Sequence, residues 1–257
     1  MTTGELKTNS EFSAISEILH IHQGLKHTMG NTAEHVCKYC EKSFKREKTL
    51  VSHVCEGKRR WQQEKEMGVQ HGMYAFVRFY QLTQASVKTK TYADFVDSPY
   101  YLAFVKFGRY CIGIRNINIP HYTDWLLKNN KRLDDWCKDT LYIEWLHQYT
   151  RNENPQDALE RALKEMQEFA HEEKISGFQE YFRSGLTNRI CQHILNGRLS
   201  AWILYNCDSG VEFLATLQDD QIPQVFPWID PTYWARKFKD HAADTAWVKQ
   251  ILKTAGL

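Results

Sequence analysis

The chain has 257 residues, 42% of them hydrophobic, and a formal net charge of +2 at pH 7. This length accommodates a small module beside one ordinary domain of about 200 residues. A net charge so close to zero excludes a protein that binds nucleic acid over its whole surface. No run of eighteen apolar residues and no signal segment is visible, and seven cysteines with three in one cluster are typical of a reducing compartment. We therefore expect a soluble, cytoplasmic protein.

Residues 1–33 carry little information. The spacing of their apolar residues is compatible with one amphipathic helix, through Phe12, Ile15, Ile18 and Leu19. We predict an N-terminal segment over 1–33 that is helical or loose.

Three thiols and one imidazole lie close together in the next stretch of the sequence. They belong to Cys37, Cys40, His53 and Cys55. Two cysteines separated by two residues can share one ion, because a tight turn directs both sulfurs inward, and a further Cys and His complete a tetrahedral Zn²⁺ site. Phe44 and Leu50, between the two ligand pairs, provide a small apolar core.

The spacing C-x2-C-x3-F-x5-L-x2-H over residues 37–53 resembles the C2H2 zinc-finger family. The resemblance extends over residues 37–60 and implies a ββα finger in which metal binding provides most of the folding free energy. It implies nothing direct about the rest of the chain.

The spacing of the last two ligands departs from that family, because only Val54 separates His53 from Cys55. Residues two apart on a helix point to different sides, so we expect the helix to end or distort at His53. If Cys55 does not reach the ion, His35 is the substitute ligand and His71 a poorer one.

The resemblance also implies a set of nucleic-acid contacts. In the family's register the base-facing residues are Arg46, Thr49 and Ser52, with Lys48 close to the backbone, and Arg46 can pair with O6 and N7 of a guanine. The expected phosphate contacts, which give affinity without sequence information, are Lys42, Lys45, Lys58, Arg59 and Arg60. One finger covers about 3 base pairs, so strong specificity requires a second contact surface or a dimer.

The same residues allow a second interpretation, a protein-interaction or assembly factor whose finger is structural and contacts no nucleic acid. Between residues 37 and 60 there are eight basic and three acidic side chains. This local excess, together with Trp61, which can stack on an exposed base, favours nucleic acid, and DNA in particular.

Residues 61–257 are predicted to form an all-α domain after the finger at 34–60. A long helix is expected from about Lys58 to Gln81, with Gly68 and Gly72 as the places where it breaks. A subdivision near 172–177 is compatible with the pattern. The predicted fold is therefore mainly α, with a small ββα finger followed by a helical domain.

Helix starts in this domain are predicted from a capping side chain that precedes a proline, at Ser98-Pro99, Asn154-Pro155 and Asp230-Pro231. Thr123 is predicted as a fourth cap. Strand candidates are weak, and the two best are Tyr110–Ile119 and Trp202–Tyr205.

The helical domain carries no catalytic signature. Gly108 and Gly113 are not followed by the Gly-Lys-Ser/Thr of a phosphate-binding loop. Asp94 and Asp97 with Lys106 resemble a nuclease-like metal site, but such spacing arises often by chance. An enzyme is thus the third interpretation, and the domain is expected to provide docking or oligomer contacts.

The arrangement of a finger, a Lys-Arg-Arg linker and a helical body, with the stretch Ser98–Cys111, resembles accessory proteins of large tailed phages. This resemblance implies a role in phage DNA transactions or particle assembly in the host cytoplasm. The leading prediction is a Zn²⁺-binding, DNA-binding accessory protein.

Overall fold

The computed structural model describes residues 35–84 and 89–257. The chain divides into two compact units, Met1–Gln63 and Glu64–Leu257. The prediction for residues 1–33 lies outside the described residues. The protein is mainly helical, with a small two-stranded sheet near the N-terminus that precedes a helical domain, as predicted.

The first unit has a ββα core. Strands β1 (His35–Val36) and β2 (Ser43–Phe44) pair antiparallel, and helix α1 (Glu47–Ser52) follows them. A second helix, α2 (Glu56–Gln62), completes the unit.

The second unit is built from helices joined by short turns. Its α-helices are α3 (Met67–Gln84), α4 (Tyr92–Val96), α5 (Tyr101–Gly113), α6 (Ile119–Lys128), α7 (Asp139–Asn152), α8 (Pro155–Glu173), α9 (Thr187–Leu195), α10 (Ala201–Leu204), α11 (Asp208–Ala215), α12 (Ile222–Ile229), α13 (Pro231–Asp240) and α14 (Ala242–Ala255). Two short 3-10 helices occupy Leu133–Asp135 and Phe178–Glu180.

The long helix predicted over 58–81 is interrupted, as expected, but the predicted place of the break is wrong. Helix α2 ends at Gln62 and α3 begins at Met67, whereas Gly68 and Gly72 lie inside α3 and are buried. A Cβ at Gly72 would lie 2.7 Å from the Phe104 carbonyl oxygen on α5. These glycines therefore allow two helix backbones to approach each other, and they do not interrupt the helix.

Two of the predicted caps are confirmed. The Asn154 side chain accepts a hydrogen bond from the Gln156 N–H at 2.8 Å, and Asp230 accepts one from the Thr232 N–H at 2.9 Å. Ser98 accepts from the Tyr100 N–H, but α5 begins only at Tyr101.

The predicted cap at Thr123 is wrong. Its side chain is buried inside α6 and donates to the Ile119 carbonyl oxygen at 2.9 Å, while Asn118 is the cap of that helix.

Both strand candidates are also wrong, since Trp202–Tyr205 covers most of α10 and residues 110–119 contain the end of α5. In the second candidate, Trp202 and Ile203 are completely buried by helix packing, which overrides local strand preference.

The buried side chains of the second unit form two clusters, one drawn from residues 69–149 and the other from residues 158–252. Four tryptophans are almost completely buried in them, namely Trp136, Trp145, Trp202 and Trp234. The region considered for a subdivision, residues 172–177, contains the end of α8, where Lys174 adopts a left-handed conformation with φ 56°.

Candidate metal centre

Four potential metal ligands converge in the first unit. The ligand atoms of Cys37, Cys40, His53 and Cys55 all lie within 4.8 Å of one another. The Cys37 and Cys55 sulfurs are 3.9 Å apart, and the Cys40 sulfur lies 3.2 Å from Nε2 of His53. The four residues predicted from the sequence are therefore positioned to bind a metal ion.

The turn between the two strands positions the first pair of ligands. The Glu41 N–H donates to the Cys37 carbonyl oxygen at 2.8 Å, and the Cys37 N–H donates to the Lys42 carbonyl oxygen at 3.0 Å. Glu41 adopts a left-handed conformation with φ 58°, which reverses the chain directly after Cys40. Both sulfurs are thus directed to the same side of the turn.

The predicted distortion at His53 is confirmed. Helix α1 stops at Ser52, and His53 has extended backbone angles of φ −67° and ψ 127°. This extended link lets Cys55 reach the same point as His53, which a continuous helix would prevent. The ring of Phe44 lies 4.7 Å from the His53 ring and so fixes the position of the imidazole.

Cys55 has a second role that the sequence analysis missed, because it is also the N-cap of α2. Its sulfur accepts a hydrogen bond from the Lys58 N–H at 3.4 Å. The Lys58 ammonium donates to the Val51 and His53 carbonyl oxygens at 3.2 and 3.1 Å, so it satisfies the C-terminal end of α1.

Helix α2 packs directly on the first cysteine turn. A Cβ at Gly57 would lie 2.7 Å from the Tyr39 carbonyl oxygen, and the Tyr39 and Trp61 rings are 6.5 Å apart. The glycine in Cys-Glu-Gly-Lys was the available sequence signal for this close approach. Helix α2 is therefore a fourth element of the first unit, in addition to the ββα core.

Three thiols in so small a volume cannot all ionise without a cation. The backbone N–H of Tyr39 lowers the pKa of the Cys37 thiol below its usual value. At Cys40 the backbone N–H of Lys42 favours the thiolate, but burial and the neighbouring thiols of Cys37 and Cys55 outweigh it and raise the pKa. A bound cation would reverse this repulsion, since metals bind the thiolate form.

The two substitute ligands are not in the cluster. His35 lies in β1, where its backbone pairs with Phe44, and His71 lies in α3, where burial lowers its pKa. Within residues 35–84 and 89–257, the ligand group that can hold an ion consists of Cys37, Cys40, His53 and Cys55. Of the candidates for the fourth ligand, Cys55 is therefore the one that lies in this cluster.

The residues predicted to face bases are exposed. Arg46 precedes α1, and Lys48, Thr49 and Ser52 lie on it, while Lys42 and Lys45 flank β2. The Ser52 hydroxyl donates to the carbonyl oxygens of Lys48 and Thr49, so its donor is already used within its own helix.

Lys58, Arg59 and Arg60, which were predicted to contact phosphates, make contacts within the finger. The Lys58 ammonium caps α1 as described above, and both guanidinium groups pair with Glu56. The hydrogen bond from Arg60 and the charge of Arg59 hold the pKa of the Glu56 carboxyl below its usual value. The other cations that were predicted to contact nucleic acid are exposed to solvent, namely Lys42, Lys45, Arg46 and Lys48.

The nuclease-like set has a structural explanation. Asp94 accepts from the Thr91 N–H at 2.7 Å and from its hydroxyl at 2.8 Å, and Thr91 in turn caps α4. Asp97 occupies the C-cap of the same helix. These carboxylates therefore define a short helix.

No protein-family model, curated protein or solved structure matches this chain. Among the helices of residues 35–84 and 89–257, none has the length and apolar character needed to cross a membrane. The ligand geometry and the charge around it are therefore the observations that bear on function.

Proposed function

We propose that the first unit is a zinc finger and that its exposed basic surface binds nucleic acid, DNA in the first place. The observation that carries the metal identity is the donor set, three thiolates and one imidazole with mutual distances of 3.2 to 4.8 Å. A tetrahedral Zn²⁺ site with Zn–S bonds of about 2.3 Å places its sulfurs roughly 3.8 Å apart. The 3.9 Å between the Cys37 and Cys55 sulfurs fits this geometry.

Zinc in this site would act as a structural ion. It joins the β1–β2 turn, which carries Cys37 and Cys40, to the segment between α1 and α2, which carries His53 and Cys55. Four protein ligands leave no open coordination position for a substrate, as is typical of structural zinc.

The nucleic-acid part of the proposal rests on charge and periodicity. One Zn²⁺ with three thiolates carries a charge of −1, so the eight basic and three acidic side chains of residues 37–60 leave the finger positive. Thr49 and Ser52 are three residues apart on the short helix and therefore lie on neighbouring positions of its surface, and Arg46 is the residue directly before that helix. Lys42, Lys45 and Lys48 are exposed beside them and can reach phosphates.

The test is binding of the zinc-loaded full-length protein to a generic labelled duplex, titrated from low to high salt. Each phosphate contact contributes about 0.9 to the slope of log K against log salt. The combined variant Lys42→Ala, Lys45→Ala, Arg46→Ala and Lys48→Ala should weaken binding and reduce the slope by about 3 to 4.

The matched control is Arg59→Ala with Arg60→Ala, which removes two charges of the same finger that are paired with Glu56. We expect a smaller loss for this pair than for the exposed cations. Absence of duplex binding at low salt, with zinc bound, would refute the nucleic-acid function.

A second candidate function is supported by a separate observation on the same finger. A cavity of about 380 Å³ is lined mainly by apolar groups, with Val36 and Val51 exposed by 50% and 69%. Lys38 and Lys58 also line it, so the surface is complementary to an apolar peptide that carries carboxylates. In this function the finger is an assembly element and contacts no nucleic acid.

Val51→Ser separates the two functions. It should weaken binding of an acidic amphipathic peptide and leave duplex binding unchanged, because it removes exposed apolar surface and does not change the charge. The phage-accessory resemblance of residues 98–111 and a docking role of the helical unit stay predictions. In the structure, Phe104 and Phe107 of that stretch are buried core residues.

A further inference from the structure

The helical unit contains a cavity of about 380 Å³ that the zinc-finger proposal does not use. It lies where α6, α7 and the start of α8 meet. Its walls include His121, Trp125, Trp145 and Tyr149, and its acidic side chains are Glu153 and Asp157. The remaining lining residues are asparagines and a glutamine. This is a volume in which small organic ligands are commonly bound.

Hydrogen bonds between the walls hold the aromatic side chains in place. The Trp145 indole N–H donates to Nδ1 of His121 at 3.0 Å, and the Trp125 indole N–H donates to Oε1 of Gln148 at 2.9 Å. The rings of Trp145 and Tyr149 stack with centroids 5.0 Å apart. The shape of the cavity is therefore formed before any ligand binds.

The charge of the lining is negative. Glu153 and Asp157 contribute carboxylates, whereas no lysine or arginine is among the described residues that line the cavity. Burial lowers the pKa of His121, so this imidazole is neutral at pH 7. Outside the lining, the Arg161 guanidinium donates to Oε2 of Glu153 at 2.6 Å, and the Lys131 ammonium lies 5.2 Å from the centre of the Trp125 ring.

The Glu153 side chain is not open to the cavity. It is 0% exposed and Oε2 is paired with Arg161, so this carboxylate adds charge near the cavity and makes no direct contact with a ligand. Burial raises the pKa of this carboxyl, while Arg161 and a hydrogen bond from the Ser200 hydroxyl oppose that shift. Asp157 is exposed and is therefore the carboxylate that a bound ligand can contact.

We propose that this cavity binds a small primary alkylammonium ion. Aromatic ring faces and carboxylates both attract cations, and an ammonium group supplies three N–H donors to carboxylate and amide oxygens. Its alkyl part would lie against the indole and phenol rings. An anion is disfavoured because the lining offers carboxylates and no cationic side chain.

The test uses the zinc-loaded full-length protein and n-butylammonium chloride as the probe, with binding followed by calorimetry and by saturation-transfer NMR. For so small a ligand we expect a Kd on the order of millimolar. Neutral 1-butanol, which has the same apolar chain, and butyrate should both bind much more weakly.

The decisive variant is Asp157→Asn, because Asp157 is exposed in the first turn of α8 and its loss should leave the fold intact. Removal of this charge should weaken n-butylammonium about threefold to tenfold. Asp208→Asn is the matched control, since Asp208 is likewise exposed in a first helical turn, that of α11, but does not line the cavity.

Three results would overturn the proposal. The first is equal binding of 1-butanol and n-butylammonium, which would indicate an apolar crevice only. The second is an Asp157→Asn protein that binds as tightly as the Asp208→Asn protein. The third is the absence of any binding to the folded protein. Because the probe site lies in the helical unit, duplex binding by the finger should be unaffected by any of these variants.

Discussion

The two units of this protein are stabilised in different ways. Among the described residues 35–63, Cys37 is the one buried hydrophobic side chain, and it belongs to the cluster of candidate metal ligands. The helical unit instead buries Trp136, Trp145, Trp202 and Trp234 almost completely. Full burial of one large apolar side chain contributes about 1.5 to 3 kcal/mol, so the helical unit has a source of stability that the finger lacks.

This difference indicates that a bound metal ion would stabilise the first unit and not the helical unit. The finger has short elements, since α1 spans six residues and each strand two. Such elements are marginal by themselves, and in the proposed function four ligands on one ion replace the missing core. We therefore expect the two units to respond independently to metal and to changes in packing.

The largest expected effect is the response to metal removal. A chelator should unfold residues 35–63 and leave the helical unit folded, because zinc supplies about 10 to 16 kcal/mol of apparent binding free energy in zinc-finger peptides. Hydrogen exchange followed by mass spectrometry measures this directly, as loss of protection in α1 and α2 alone.

Cys37→Ser and Cys137→Ser form a matched pair for the same experiment. The first removes a ligand and should reproduce the effect of the chelator, while the second changes a half-buried cysteine of the helical unit that is outside the ligand cluster. Retained protection of α1 in the chelated protein would show that the finger folds without an ion and would remove the contrast between the units.

The next largest effect concerns packing in the helical unit, where Gly108 lies in the contact between α5 and α3. A Cβ at Gly108 would lie 2.0 Å from the Gly68 carbonyl oxygen and 2.7 Å from the Gly72 nitrogen. Gly108→Ala must therefore separate two backbones, and we expect a loss of about 3 kcal/mol in the free energy of unfolding. Urea denaturation monitored by tryptophan fluorescence measures it.

Gly113→Ala is the control in the same helix, because a Cβ there meets no atom within 4 Å. It should be neutral or stabilise by up to about 1 kcal/mol. Zinc affinity should be unchanged in both variants. Equal stability of the two alanine variants would contradict the close approach of α3 and α5.

The metal ligands were predictable because their chemistry is local in the sequence. Cys37, Cys40, His53 and Cys55 lie within one short stretch, and the single residue between His53 and Cys55 already required the helix to end there. The cap that Cys55 provides for α2 was missed. The close approach of α2 to the first cysteine turn was also missed, because its sequence signal, Gly57, is weak without knowledge of the Tyr39 carbonyl oxygen beside it.

The errors in the helical unit came from features whose meaning depends on tertiary contacts. Gly68 and Gly72 were interpreted as helix breaks, and only the neighbouring α5 shows that they are contact positions. The cavity with Trp145 and Glu153 was invisible for the same reason, since its lining residues come from three helices and have no fixed spacing. A sequence pattern shows which residues are close along the chain, whereas these sites are formed by residues that are far apart in the sequence and meet in the fold.

The smallest effect that we predict is a dependence of the stability of the helical unit on pH. It comes from the buried side chain of His193 in α9. Its Nδ1 lies 2.7 Å from the Tyr181 hydroxyl, and its Nε2 lies 3.4 Å from Oε1 of Glu165, which Arg198 also contacts at 3.1 Å. Burial lowers the pKa of His193 to about 4 in the folded protein, against about 6.5 in an unfolded chain. Between these values the unfolded state binds the additional proton, so stability is complete above pH 6.5 and decreases as the pH falls towards 4.

From pH 6.5 to pH 5 the expected loss is at most about 2 kcal/mol in the free energy of unfolding of the helical unit. Glu153, whose pKa burial raises, titrates in the opposite sense, so the informative quantity is the difference in slope between two proteins. His193→Gln should flatten the dependence of the unfolding free energy on pH, whereas His171→Gln, at an exposed position of α8, should leave it unchanged. Equal slopes for the parent protein and His193→Gln would mean that His193 takes up its proton without loss of the folded state. The pH dependence of the helical unit would then have to come from its carboxylates.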